Sequence, residues 1–237
     1  MEKLAQGARE LGLDLTVQQL DQFEAYYQEL ADWNQRINLT SIVQYEEVQI
    51  KHFLDSLTLC GALAGRPTPE ARVLDVGTGA GFPGLPLKLA FPDLRLTLVE
   101  STGKKTAFLR HLVGMLGLSD VEICTRRAEE VGHSPDLRES FDLTLARGVA
   151  KLPALLEYTL PFCQRGGRAA LWKHGGIDQE LASAAYALKA LGGRLLEVYP
   201  VKVTGLTDNR ILVIVEKVGP TPANFPRRPG MPAKQPL

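Results

Sequence analysis

The chain has 237 residues, 45% hydrophobic and 23% charged, which is room for one α/β domain plus a further segment. Lysine plus arginine and aspartate plus glutamate stand at 27 each, so no global charge draws the protein to nucleic acid, and any RNA site must be a local patch. The cysteines Cys60, Cys124 and Cys163 lie far apart with no C-x-x-C spacing, which argues against a disulfide framework or a zinc site. No apolar run approaches the ~18 residues of a membrane span and no signal-peptide pattern opens the chain, so a cytoplasmic protein without membrane or metal is expected.

Residues 1–65 read as a helical segment, with ten acidic residues against four basic ones up to residue 60. Thr16 and Gln19 have capping-box spacing. Leu20, Phe23, Tyr27 and Leu30 recur behind them at helical spacing, followed by Trp33 or Asn34. A second helix is expected from Tyr45 to Leu63, and Gly65-Arg66-Pro67-Thr68-Pro69 reads as a linker. Residues 71–218 alternate strand and helix. The strand-like runs are Arg72–Val76, Arg95–Glu100, Val121–Cys124, Phe141–Ala146, Gly167–Trp172, Leu195–Tyr199 and Arg210–Glu216. The helix-like runs are Leu85–Ala90, Lys104–Leu116, Ala128–Val131, Lys151–Leu160 and Asp178–Leu191. This pattern predicts a seven-stranded, mostly parallel Rossmann-like sheet covered on both faces, with one antiparallel strand at an edge from the closing hairpin. The tail, 219–237, is basic and Pro-rich. Its prolines argue against helix and sheet, and it reads either as a disordered terminus or as an arm that folds onto phosphates.

The glycine motif Asp75-Val76-Gly77-Thr78-Gly79-Ala80-Gly81-Phe82-Pro83-Gly84 lies between the first strand and its helix. Gly77 and Gly79 let the backbone turn tightly against a ligand at a helix start. Phe82 stands where the third glycine of a dinucleotide fingerprint belongs, which turns the reading away from hydride transfer. Glu100, 25 positions after Asp75, ends the second strand, where an acid accepts from a ribose diol, and Ser101 and Thr102 follow it. Ala128 and Glu129 follow the third strand; the carboxylate suits an adenine amino group, or else simply caps a helix. Phe82 either shields a ligand or packs in the core.

The fourth strand ends at Arg147-Gly148 and the fifth at Lys173-His174, with neither an Asn-Pro-Pro-aromatic motif nor a cysteine at the fourth. Two cations at neighbouring strand ends favour an electron-rich or anionic acceptor. Arg147 and Lys173 are therefore the candidates for positioning it. Lys104, Lys105, Arg126, Lys173, Arg210, Arg227 and Arg228 are the candidates for RNA contact, the first two equally readable as a solvated helix face.

The blocks His52-Phe53-Leu54-Asp55-Ser56, Asp75 to Gly84, Glu100-Ser101, Lys104-Lys105, Arg127-Ala128-Glu129, Ala146-Arg147 and Phe225-Pro226-Arg227-Arg228-Pro229-Gly230 occur in order. Together they resemble the RsmG (GidB) family, the guanine-N7 methyltransferases of 16S ribosomal RNA. His174 in Lys-His-Gly and Gly148 after Arg147 depart from the family pattern. The resemblance implies a class I methyltransferase fold and S-adenosylmethionine as cofactor, bound by Gly77, Phe82, Glu100, Ser101, Thr102, Ala128, Glu129 and Arg147. Asp75 and Gly79, of the same turn, are expected to bind it as well. The implied substrate is a guanine of the 530-loop region in 16S rRNA or the small ribosomal subunit, and a monomer is expected. His52 and Asp55 are read as joining the helical segment to the domain. The alternatives are a methyltransferase-like module that binds RNA or a partner without turnover, and a protein or small-molecule methyltransferase.

Overall fold

The computed structural model describes residues 1–63, 65 and 67–237; Arg66 of the linker lies outside the described residues. Seven strands form one sheet in the order β3-β2-β1-β4-β5-β7-β6. They are β1 (Arg72–Val76), β2 (Arg95–Val99), β3 (Val121–Cys124), β4 (Phe141–Arg147), β5 (Cys163–His174), β6 (Gly193–Pro200) and β7 (Arg210–Lys217). β1 to β5 pair in parallel, and β7 runs antiparallel between β5 and β6. The antiparallel strand is thus not at the edge, as the hairpin pattern suggested. The hairpin folds back so that β7 takes the inner position, and its buried Leu212 to Val215 run suits that place.

Alternation along the strands makes two cores. Val73, Leu96, Leu98, Leu143, Leu145, Trp172, Leu212 and Ile214 face the N-terminal helical segment, α6 (Gly84–Ala90) and α7 (Gly103–Met115). Leu74, Val76, Val99, Ala146, Leu171, Val213 and Val215 face α8 (Ala128–Val131), α9 (Leu152–Thr159) and α10 (Asp178–Ala190).

The helical segment covers the first face. α1 (Glu2–Glu10) has an acid in its first turn and Arg9 in its last, both favourable to the helix dipole. α2 (Val17–Asn34) starts on the Thr16–Gln19 capping box, and Gln19 Nε2 also donates to Leu89 O and Ala90 O at the end of α6. Phe23, Tyr26 and Leu30 form the buried stripe of α2; Tyr26, one position before the expected Tyr27, is the tyrosine the core encloses. The expected second helix runs through α3 (Tyr45–Val48), a π-helical turn Gln49–Leu54, α4 (Asp55–Leu57) and, after a turn at Thr58, α5 (Leu59–Ala62). Such turns re-aim side chains, and this one buries His52, Phe53 and Leu54.

The tail is ordered. Arg227 makes an ion pair with Glu157 at 2.6 Å, and a short helix α11 (Met231–Lys234) packs on α9. Pro232 occupies the first turn of α11, where a missing N–H costs nothing, so the proline density did not preclude a helix.

Candidate active site

β1, β2 and β4 end on one side of the sheet, and a cleft of about 320 Å³ opens there. Gly77, Glu100, Ser101, Ala128 and Glu129 line it, as read from the sequence, and Arg126, Arg127, Gly148, Val149 and Tyr158 are among the other lining residues. Asp75 lies beneath, fully buried on the first core face. Its Oδ2 accepts from the Thr78 hydroxyl at 2.6 Å and the Gly84 N–H at 2.9 Å, tying both ends of the turn together. A Cβ on Gly84 would sit 2.9 Å from that oxygen, so glycine is required for the approach. Burial pushes the Asp75 pKa up to about 6 against these hydrogen bonds. Asp75 therefore shapes the turn from below and does not line the cleft.

Glu100 is buried at the end of β2. Its Oε2 accepts from Gly79 N–H at 3.1 Å and its Oε1 from Thr102 N–H at 2.8 Å. Gly79 and Thr102 thus act through Glu100. A carboxylate has about four acceptor positions, so lone pairs remain for hydroxyl donors in the cleft. Gly77 has φ +66°, and a Cβ there would lie 2.8 Å from Val149 Cγ2. The floor of the cleft is open because this residue has no side chain.

A second hollow of about 390 Å³ shares Gly148 with the first. Lys51, His52, Arg147, Trp172, Lys173 and Arg210 contribute to its lining. Arg147 and Phe82, both expected at the cofactor, group on this side. Phe82 is buried between Tyr26 and His52, with ring centroids 5.4 and 4.4 Å away, and the Arg147 guanidinium lies 5.1 Å above it. Arg147 Nη1 donates to Asp55 Oδ2 at 2.8 Å, and Arg210 Nη1 pairs with the same oxygen. Trp172 Nε1 donates to the Asp55 carbonyl at 3.0 Å. Asp55 of the helical segment thus reaches β4, β5 and β7 at once.

Arg147 Nη2 lies 3.2 Å from His52 Nδ1. A guanidinium can only donate, so Nδ1 accepts and the proton resides on Nε2, which donates to Thr40 Oγ1 at 2.8 Å. Burial and the charges of Arg147 and Arg210 hold the His52 pKa down to about 3. The imidazole is neutral and its lone pair is occupied, so it is a poor general base.

The other expected RNA contacts are scattered. Lys173 pairs with Glu180 at 2.8 Å inside the second hollow. Lys104 and Lys105 line a separate depression with Gln35, Arg36 and Asn38. Arg126 stands at the rim of the first cleft, 3.6 Å from Glu130. Arg227 is held by Glu157, whereas Arg228 is exposed. The sequence reading missed Tyr158, Val149 and Trp172; these line the clefts only because distant strand ends meet.

The strand order with its inserted antiparallel β7, and the acid-ended cleft beyond β1 and β2, define a class I methyltransferase fold. Solved structures share it: TrmN from Thermus thermophilus, with TM-score 0.53 and 22% identity over 70% of this chain and 48% of that one, and M. jannaschii TYW2 in complex with AdoMet, with TM-score 0.52 and 15% identity over 69% and 76%. The family model "rRNA small subunit methyltransferase G" matches residues 19–207. The Ribosomal RNA small subunit methyltransferase G of Dehalococcoides mccartyi is 52% identical over 237 residues, covering both chains entirely. This chain belongs to the rRNA small subunit methyltransferase G family.

Proposed function

We propose that the protein transfers a methyl group from S-adenosylmethionine to N7 of a guanine in the 530-loop region of 16S rRNA. The observation that carries this reading is the meeting of an acid-ended nucleoside cleft and a cation-lined hollow at Gly148. Bound in the first cleft, the cofactor supplies an electrophilic methyl group. Glu100 would accept from its ribose hydroxyls, and Ala128 and Glu129 would face its adenine. Gly77 leaves the room that any side chain would take.

A guanine N7 carries an in-plane lone pair and no proton to lose, so this chemistry asks the protein for alignment and not for a base. The residues of the second hollow suit that demand. Arg147, Lys173 and Arg210 present donors to O6 or flanking phosphates and leave N7 open. Trp172 offers an aromatic wall, and neutral His52 fixes the Arg147 fork. Lys104, Lys105, Arg126 and Arg228 would add phosphate contacts. The protein acts as a monomer in the cytoplasm on 16S rRNA or the small subunit. Among the described residues, no helix is long and apolar enough to cross a membrane.

The test is incubation with naked 16S rRNA and with small subunits in the presence of methyl-labelled S-adenosylmethionine, followed by digestion and mapping. Label at a single guanine N7 in the 530-loop region is expected. Absence of label at every guanine N7 on both substrates refutes the assignment.

A further inference from the structure

The tail enters the nucleoside cleft's wall from behind. Glu129 lines the cleft, and its Oε1 accepts from the Gly230 N–H at 2.8 Å. Its other oxygen makes no hydrogen bond among the described residues. Tyr158, also in the lining, belongs to α9, on which α11 packs.

The residue before Tyr158 is Glu157, whose side chain is 0% exposed. Arg227 satisfies it through its backbone N–H at 2.7 Å, Nε at 3.0 Å and Nη2 at 2.6 Å. Arg138 donates to the carbonyls of Thr221, Pro222 and Phe225, and His133 Nε2 donates to Pro226 O at 2.8 Å. Arg227 and the Gly230 N–H are thus directed inward, to Glu157 and Glu129. A buried carboxylate held on one oxygen keeps a fixed orientation for the other.

We infer that the tail from Arg227 to Lys234 is a positioning element of the cofactor cleft, acting through Glu129 and Tyr158. Arg227 is part of this brace and not an RNA contact. The inference rests on the reading that the cleft takes S-adenosylmethionine.

A chain ending at Pro229 removes Gly230 and α11 but keeps the Arg227–Glu157 pair. Calorimetric titration with S-adenosylhomocysteine should show affinity reduced roughly tenfold, the size of one hydrogen bond to a charged group. Anisotropy with a labelled 16S rRNA fragment should show RNA affinity changed less than about twofold on the same scale. Reduced RNA affinity with intact S-adenosylhomocysteine affinity overturns the inference. A second measurement uses the full chain and depends on no variant. Because coupling between sites is reciprocal, saturating S-adenosylhomocysteine should slow hydrogen exchange at the amides of Gly230, Met231, Ala233 and Lys234. Unchanged exchange at saturation overturns the inference as well. A full chain that binds no S-adenosylhomocysteine overturns the cofactor reading itself, a result separable from either of the others.

Discussion

Asp55→Asn tests the joint between the helical segment and the sheet. The Asp55 carboxylate is 0% exposed, and its partners Arg147 and Arg210 are 14% and 11% exposed. At an effective dielectric near 20, each contact is worth about 4 kcal/mol of attraction, before the cost of burial is charged against it. The asparagine keeps the shape and removes the charge. Arg147 would retain the carbonyls of Lys51 and His52 and the His52 ring, and Arg210 would retain Asp208. Breaking a buried pair from one side costs about 3–5 kcal/mol, a large part of the roughly 5–15 kcal/mol a domain has in total. Urea unfolding should show the midpoint falling by more than about 1 M with an unchanged slope. Adding Arg210→Gln to Asp55→Asn should restore about 1 kcal/mol or more, since it removes one uncompensated cation. A loss below about 1 kcal/mol for the single variant, with no coupling in the double, would refute the view that this carboxylate holds both guanidiniums.

His52 gives a pH signature. Its pKa is held at about 3 against an ordinary 6.5, so the unfolded chain binds the extra proton between those values and stability rises with pH across that window. Asp75, raised to about 6 from 3.8, works in the opposite sense between its two values, because there the folded chain holds the extra proton. The stability difference between the parent and His52→Gln should therefore rise by up to about 1.4 kcal/mol per pH unit between roughly pH 3 and 6.5, the Asp75 contribution being common to both, and parallel stability curves would disprove it. Gly77→Ala places a Cβ 2.8 Å from Val149 Cγ2 at φ +66°. It should cost about 1–2 kcal/mol of stability and, by calorimetry, more than tenfold in S-adenosylhomocysteine affinity; unaltered binding would move the ligand away from this floor. Lys173→Ala should raise KM for RNA severalfold while leaving S-adenosylhomocysteine affinity unchanged, and equal losses in both would place Lys173 in the wrong cleft.

The strand, glycine turn and helix from Arg72 to Ala90 were legible because each step is local: apolar run, turn residues, apolar run. Glu100 was legible by its distance from Asp75. The Thr16–Gln19 cap was readable at three-residue spacing, although nothing local indicated that Gln19 would also bind α6. The ordered tail was not legible. Its order comes from pairs such as Arg227–Glu157 and Gly230–Glu129, 70 and 101 residues apart, which no composition can reveal. The Asp55–Arg147 pair spans 92 residues. The same holds for the inner position of β7, which depends on how a hairpin docks, and for Trp172 and Tyr158, which reach the clefts only through the sheet order. Phe82 and Arg147 were expected at the cofactor, but the π-helical turn that sets His52 against both has no periodic signature.

On the proposed reading, the cations of the second hollow bear on both ends of the reaction. A guanine would arrive with an uncharged ring, its oxygen and nitrogen acceptors open to the donors of Arg147, Lys173 and Arg210. After methylation at N7 the same ring would bear a delocalised positive charge. Asp55 and Glu180, already paired with these cations, would temper the repulsion that charge meets. The hollow would then hold the methylated base less tightly than the base it selected.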